Sequence, residues 1–340
     1  MRYIIIGAGA VGGAIGGRLA GAGHEVVLVA RGAHLAALQD GGLQLRVPDG
    51  EFTYRLPAVE SPDDLGELRT DDVLILAVKT QDTVAALASW GPAPVAGGGT
   101  AAERLPLFCA QNGVEGQRLA LRVFRHVYGV CVWLPATFVE PGSVSAGGAP
   151  LTGILHLGRH PHGTDETTRL VAADLEKSHF EAPVIPDVSR WQYAKLLGNL
   201  GNALEAVTGP VDTEEAEELF GRVRAEGAAV LDAAGIAYAS VEEQRELRGH
   251  KVDLVPLAGA PRGGGSSWQS LTRATGTIEA DYLNGEITLL GRLHDVPTPL
   301  NDLLQRLANQ FAREHRAPGS MPLRELLRLA EQANSFRATP

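Results

Sequence analysis

The first thirteen residues constrain this chain more than any other stretch. An apolar run ending in Ile4-Ile-Ile6 leads directly into Gly7-Ala8-Gly9-Ala10-Val11-Gly12-Gly13, and small residues in helical order follow. Strand, turn and helix in that order give the G-x-G-x-x-G spacing its meaning as a dinucleotide-binding turn. Gly7 permits the tight turn, Gly9 lets the backbone approach a pyrophosphate, and Gly12 lets the helix sit close on the strand. The helix start offers free N–H groups and a positive dipole end to the phosphates. A chain with 41 glycines can cluster three by chance. The position directly after a strand argues against that.

The second strand bears on which dinucleotide. Glu25-Val-Val-Leu-Val29 reads as that strand. An NAD-binding fold usually places an acid near its end, about 20 positions after the glycines, to hold the ribose 2′-OH. Here the stretch is Val29-Ala30-Arg31-Gly32, and its only charge is Arg31. A carboxylate would repel a 2′-phosphate, whereas a guanidinium can fork onto it. NADPH/NADP+ is therefore expected over NAD(H). The bland alternative is a solvated surface arginine.

Length and charge bound the rest. With 340 residues, two domains can each bury a core. A formal charge of −10 argues against nucleic acid or an anionic membrane as the main partner. Cys109 and Cys131 lie in apolar runs without metal-ligand spacing, so they read as buried small hydrophobes, and no metal is expected. No apolar stretch approaches a membrane span, and the apolar start is too short for a signal peptide. A cytoplasmic enzyme is the expectation.

The fold class expected is α/β, an N-terminal Rossmann-type doubly wound sheet (1–186) with a C-terminal all-α domain (187–335). Up to Ile185, short apolar runs alternate with helical patterns. Val73–Val78 and Leu105–Ala110 read as buried strands. Phe138–Ser145 and Ile154–Leu157 are expected to pair around Pro141-Gly142. From Asp187 the pattern is helical, over Trp191–Thr208, Glu214–Ala234, Val241–Leu247, Trp268–Leu290 and Leu300–Glu314. The tail after Gln332 shows little apolar periodicity and is expected to fray. Apolar pairs such as Leu289-Leu290 and Leu303-Leu304 suggest a homodimer, the commonest closed oligomer.

Candidate chemistry follows the strand ends, where ligands bind in open α/β sheets. Lys79 follows Val73–Val78 and is placed to meet a cofactor phosphate or ribose. Asn112 follows Leu105–Ala110 and is placed to hydrogen-bond near a nicotinamide. A solvated lysine and an Asn-Gly turn are the ordinary alternatives. Further on, Lys195, Asn199 and Asn202 stand at i, i+4 and i+7, one face of a helix flanked by leucines. A partly desolvated lysine titrates lower and can give a proton near neutral pH. Two amides beside it would orient a carboxylate or carbonyl. A solvated stripe is the alternative.

Taken together these residues resemble the ketopantoate reductase (2-dehydropantoate 2-reductase) family. The resemblance runs from Gly7 to at least Gly285. It is carried by Gly7–Gly12, Arg31, Val78-Lys79, Gln111-Asn112-Gly113, Lys195-Leu-Leu-Gly-Asn199, Ser266-Ser267 and Ile278-Glu279-Ala-Asp-Tyr-Leu-Asn-Gly285. Twelve residues take Ser267 to Glu279, as in the family pattern. The resemblance implies that Arg31 and Lys79 hold the adenosine phosphate end of NADPH and that Asn112 contacts cofactor and substrate. It implies Lys195 as proton donor and Asn199 and Ser267 as substrate contacts. Glu279 becomes the catalytic-site acid by the nicotinamide ribose and substrate.

The chain also departs from that pattern. The family's second asparagine after its lysine falls on Ala203, with Asn202 the nearest amide, which is expected to contact substrate in its place. A further family asparagine aligns with Thr213, and Ser-Ser is followed by Trp268-Gln-Ser-Leu271. A polar site that loses a partner loses discrimination for the hydroxyl it bound. The function implied is NADPH-dependent reduction of a small 2-keto acid, foremost ketopantoate to pantoate in pantothenate and coenzyme A biosynthesis. The runners-up are reduction of another 2-keto acid or an imine, and a non-catalytic NADP(H)-sensing protein.

Overall fold

Tyr3–Ile6 is buried on both faces, each side chain at 3% exposure or less, which places it in the middle of a sheet. Burial of each such side chain stabilises by about 1.5–3 kcal/mol. A computed structural model describes residues 1–257 and 264–335. Eight strands form the main sheet in the order Phe180–Glu181, Gly153–Arg159, His126–Trp133, Pro106–Cys109, Asp72–Leu76, Arg2–Ile6, Glu25–Val29, Ala58–Val59. Six run parallel. Gly153–Arg159 is antiparallel to His126–Trp133 and parallel to the two-residue edge strand. The pleat sends Tyr3 and Ile5 to a core with Ala14, Ile15 and Leu19 of helix Ala10–Gly21. Ile4 and Ile6 go to the opposite core, with Leu87, Trp90 and Phe124. This is a doubly wound sheet, as expected.

The register of the central pair is fixed by charge as well as shape. Arg2 donates through Nε and Nη2 to both carboxylate oxygens of the buried Asp72, at 2.7 and 2.6 Å. From Arg2–Ile6 the chain crosses to Glu25–Val29 on one side and later returns to Asp72–Leu76 on the other. The glycine turn and the 77–79 segment therefore leave adjacent carboxyl ends at a topological switch point.

A second sheet has the order Gly50–Tyr54, Leu43–Val47, Ser143–Ala146, Ala136–Glu140. This corrects the expected pairing across Pro141-Gly142. The turn there joins Ala136–Glu140 to Ser143–Ala146. Ile154–Leu157 pairs instead with His126–Trp133. An alternating apolar run does not name its partner, and long-range pairing decides it.

Two units divide the chain, one from Met1–Gln192 with 240–257, the other from Tyr193–Ala239 with 264–335. The division falls after Gln192 rather than 186. Residues 240–257, expected among the helices, belong with the first unit, because Val252–Leu254 pairs antiparallel with Gly148–Pro150. Arg190 binds Glu243 through two hydrogen bonds of 2.8 and 2.6 Å. Arg248 lies 4.9 Å over the Trp133 ring.

The second unit is helical among its described residues, with cores built from Leu196, Leu204, Val223, Leu231, Ile287 and Phe311. Two expected helices are divided. Trp191–Thr208 is two helices, Val188–Asn199 and Gly201–Thr208. Gly198 and Gly201 weaken the helix by roughly 1 kcal/mol each, and the Leu200 carbonyl accepts from Asn284 Nδ2 at 3.1 Å. Trp268–Leu290 resolves into Ser266–Thr272, a 3₁₀ turn Glu279–Tyr282 and Asn284–Leu293. Ala274 and Gly276 between them have φ of +49° and +77°, which no α-helix accommodates. A helix Leu323–Ser335 closes the described chain, unforeseen from sequence. The fraying expected after Gln332 is not found over 333–335, which continue that helix, and 336–340 lie outside the described residues.

Candidate active site

The glycine turn has the geometry its spacing requires. A Cβ at Gly12 would lie 2.1 Å from the Gly7 carbonyl oxygen and 2.8 Å from Ile5 Cγ2, so only glycine lets this helix meet the strand. Gly7 sits at φ +102°, where a side chain would also strike the Val78 backbone at 2.7 Å. Gly9 differs, because a Cβ there would meet nothing within 4 Å. Gly9 is the N-cap of helix Ala10–Gly21, with no side-chain cap and no acid in the first turn. Among the described residues, the opening N–H groups of that helix, over Ala10, Val11 and Gly12, thus lack the usual carboxylate or hydroxyl partner. Open space beside uncapped donors fits a pyrophosphate. The other end of the helix is anchored by the buried Arg18, which donates to Thr152 Oγ1 at 2.7 Å and pairs with the Asp49 carboxylate. That pairing holds the Asp49 carboxyl below its usual range.

Arg31 stands at the carboxyl end of the second strand, as expected, and is 78% exposed. Its Nη2 lies 3.2 Å from Asp82 Oδ1, an open ion pair of small worth that a phosphate can outbid. Asp82 belongs to the turn that follows Lys79, so Arg31 and Lys79 converge on one rim. Lys79 caps that turn in extended conformation and is half-buried. Asn112, also half-buried, is tied to the same rim, its carbonyl accepting from Thr80 Oγ1 at 3.4 Å. The buried Gln111 is the stronger tie. Its Nε2 donates to the Val78 carbonyl at 2.9 Å and to Thr83 Oγ1 at 2.8 Å. It holds the ends of two adjacent strands in register beneath Lys79 and Asn112.

In the second unit, Lys195 and Asn199 share the last turns of Val188–Asn199, both half-buried. Asn199 Nδ2 is buried and has no hydrogen-bond partner among the described residues. A donor in that condition costs about 1–3 kcal/mol unless a ligand accepts from it. Asn202 lies past the helix break and donates to Ser266 Oγ at 3.3 Å, which binds it to the start of the helix carrying Ser267. Glu205, one turn on, accepts from the Gly265 N–H at 2.8 Å. Ser267 is 2% exposed and Glu279 3%. Ala203 is 1% exposed, a buried apolar side chain. Thr213 caps the helix Glu214–Ala233, accepting from the Ala216 N–H at 3.3 Å.

Behind these groups lies a buried network that sequence reasoning missed. Asn284 Nδ2 reaches both the Leu200 carbonyl and Asn301 Oδ1, at 3.1 and 3.0 Å. Asn301 Nδ2 reaches the Val223 carbonyl and Glu226 Oε2, at 3.1 and 2.9 Å. Glu226 also accepts from the Leu300 and Asn301 N–H groups, each at 3.0 Å. Asn284 and Asn301 are fully buried. The helix break after Asn199 is therefore held by long-range amides, for which no local spacing gives a signal.

Among the described residues no cluster of metal-ligating side chains occurs, and no helix is long and apolar enough to cross a membrane. Both cysteines are buried and neither is in a disulfide, and burial pushes the Cys109 thiol far above its ordinary value.

A doubly wound sheet with an uncapped glycine turn at its switch point, in a chain that continues into a helical unit, is the arrangement of Rossmann-type oxidoreductases. The chain belongs to the ketopantoate reductase family. The family model described as Ketopantoate reductase PanE/ApbA matches residues 3–162, and its C-terminal counterpart matches 187–312. A 2-dehydropantoate 2-reductase of Mesorhizobium japonicum is 30% identical over 351 residues, covering 92% of this chain and 98% of that one. Its counterpart in Pyrococcus horikoshii is 26% identical, covering 94% and 100%. The crystal structure of a PanE/ApbA family ketopantoate reductase from Ralstonia eutropha superposes with a TM-score of 0.75 at 27% identity, covering 93% and 100%.

Proposed function

We propose that this chain reduces ketopantoate to pantoate with NADPH as reductant. The observation that carries the reading is the buried Asn199 Nδ2, without a hydrogen-bond partner among the described residues and one helical turn from Lys195, in a chain of this family. The uncapped turn Gly7–Gly12 would hold the pyrophosphate, and Arg31 with Lys79 the adenosine phosphate. Arg31 is the reason to name NADPH rather than NADH. When bound, the nicotinamide supplies a hydride to the ketone carbon. Lys195 gives a proton to the carbonyl oxygen as it gains charge, and its own charge attracts that oxygen as the alkoxide forms. Asn199 Nδ2 donates to a carboxylate or carbonyl oxygen of the substrate. Ser267 and Glu279 are assigned to the substrate and the nicotinamide ribose, and Asn112 to the contact between cofactor and substrate.

A second reading keeps this chemistry and changes the keto acid. It is favoured by Ala203, which is buried and apolar, and by Asn202, whose amide is engaged with Ser266. The test is NADPH oxidation across ketopantoate, 2-oxoisovalerate, pyruvate and an aromatic 2-keto acid. The highest kcat/KM is expected for ketopantoate. A clear preference for one of the others selects the second reading, and no turnover with any of them sinks both. A homodimer belongs to the same proposal. Of its four marker leucines only Leu289 is exposed, at 42%, so sedimentation velocity is the check.

A further inference from the structure

We propose that His34 is the positioning residue of the glycine-rich turn, holding the Ala8 carbonyl so that the Gly9 N–H is aimed at a phosphate of the bound dinucleotide. This rests on the dinucleotide reading given above. His34 lies in the first turn of helix Gly32–Gly41. Its Nε2 is 2.7 Å from the Ala8 oxygen, and its Nδ1 is 2.9 Å from the Gly142 nitrogen. A backbone N–H only donates and a carbonyl only accepts. Nδ1 must therefore be bare and Nε2 must carry the hydrogen, which leaves one neutral tautomer. The ring is also clamped edge-on to Phe138, centroids 4.9 Å apart. Phe138 and Gly142 belong to one hairpin, so His34 ties that hairpin to the turn. Burial pulls the imidazole pKa down, in keeping with a neutral ring.

Peptide planarity carries the effect to the ligand side. In a trans peptide the N–H points opposite to the preceding C=O. Fixing the Ala8 carbonyl toward His34 turns the Gly9 N–H away from it. That N–H makes no hydrogen bond to the described protein. The space beside Gly9 is open to 4 Å. His34 thus reaches the phosphate only through the turn.

The test uses His34→Leu, which removes both bonds, and His34→Gln, whose amide can donate and accept in their place. Dissociation constants are measured for NADPH, for ADP-ribose and for adenosine 2′-phosphate, which lacks the pyrophosphate. His34→Leu is expected to weaken NADPH and ADP-ribose about five- to tenfold, the worth of one net hydrogen bond. His34→Gln should recover most of that. Adenosine 2′-phosphate binding and the keto-acid KM at saturating NADPH should not move. Unchanged NADPH affinity in folded His34→Leu, or an equal loss for adenosine 2′-phosphate, would overturn the proposal. If His34→Leu does not fold, ¹⁵N spectra of the wild-type imidazole decide, because an Nδ1–H or charged ring at neutral pH overturns it and the Nε2–H tautomer supports it. A wild-type chain that binds none of the three ligands removes the dinucleotide reading itself, a failure seen without any variant.

Discussion

The two units hold their candidate ligand groups in opposite ways. In the first, the groups of the glycine turn are backbone N–H donors, and their position is set by the close approach of main chain to main chain at Gly7 and Gly12. In the second they are side chains on helices. Their position depends on buried amides, Asn284 and Asn301, drawn from far along the sequence. The first arrangement is local and sterically rigid. The second is a polar network that loses several contacts when one member is changed.

The contrast is broken most severely at Gly12. Gly12→Ala puts a Cβ on the Gly7 oxygen, and a loss of more than about 4 kcal/mol is expected, read as a collapse in thermal melting. Gly9→Ala is its counterpart. It should melt within about 0.5 kcal/mol of the parent yet bind dinucleotide poorly, because its methyl enters open space. If the two behave alike, the turn is structural only. In the second unit, Lys195→Ala should lower kcat by about 10²–10⁴-fold and leave NADPH affinity and melting unchanged. Near-normal turnover would rule out Lys195 as proton donor.

Asn284→Ala tests the network. It leaves the Leu200 carbonyl and Asn301 Oδ1 without their shared donor, and a loss of about 2–4 kcal/mol is expected in denaturant unfolding. A neutral result would mean that the break after Asn199 is held otherwise. Arg31→Ala is milder, about 1.5–3 kcal/mol of NADPH binding with NADH unaffected. Equal losses for both would separate Arg31 from the 2′-phosphate.

The smallest effect is on acid stability of the returning segment. The Arg190 guanidinium and the Ser240 cap pull the Glu243 carboxyl down from 4.5 to about 2. A carboxyl depressed by folding stabilises fully above its ordinary value, and that contribution is lost as pH falls through the depressed one. Proteolysis of 240–257 by an acid-stable protease should therefore rise between about pH 4 and pH 2. Glu243→Gln should already be susceptible at neutral pH. The exposed position keeps the effect modest.

Legibility from sequence followed the reach of each contact along the chain rather than the division into units. The turn made by Gly7, Gly9 and Gly12 was readable because strand, turn and helix are contiguous, and the strand-end placement of Arg31, Lys79 and Asn112 because each follows a short apolar run. His34 and Gln111 were not, although each orients a candidate ligand segment. Their partners lie 108 and 33 positions away. The break after Asn199 was hidden for the same reason, since its cause, Asn284, is 84 residues downstream. Leu196, Leu200 and Leu204 keep helical periodicity straight through it. Periodicity reports which face is buried, and a carbonyl turned aside to a distant amide leaves no trace in it.

The returning segment also sets an order of events. Val252–Leu254 supplies the partner of Gly148–Pro150, and Lys251 Nζ binds Glu181 at 2.6 Å. During synthesis, then, the nucleotide-type unit waits for a stretch that leaves the ribosome only after Tyr193–Ala239 has been made. Until then Gly148–Pro150 is an open edge, exposed to mispairing with a neighbouring nascent chain. A fragment ending at Gln192 carries that open edge permanently.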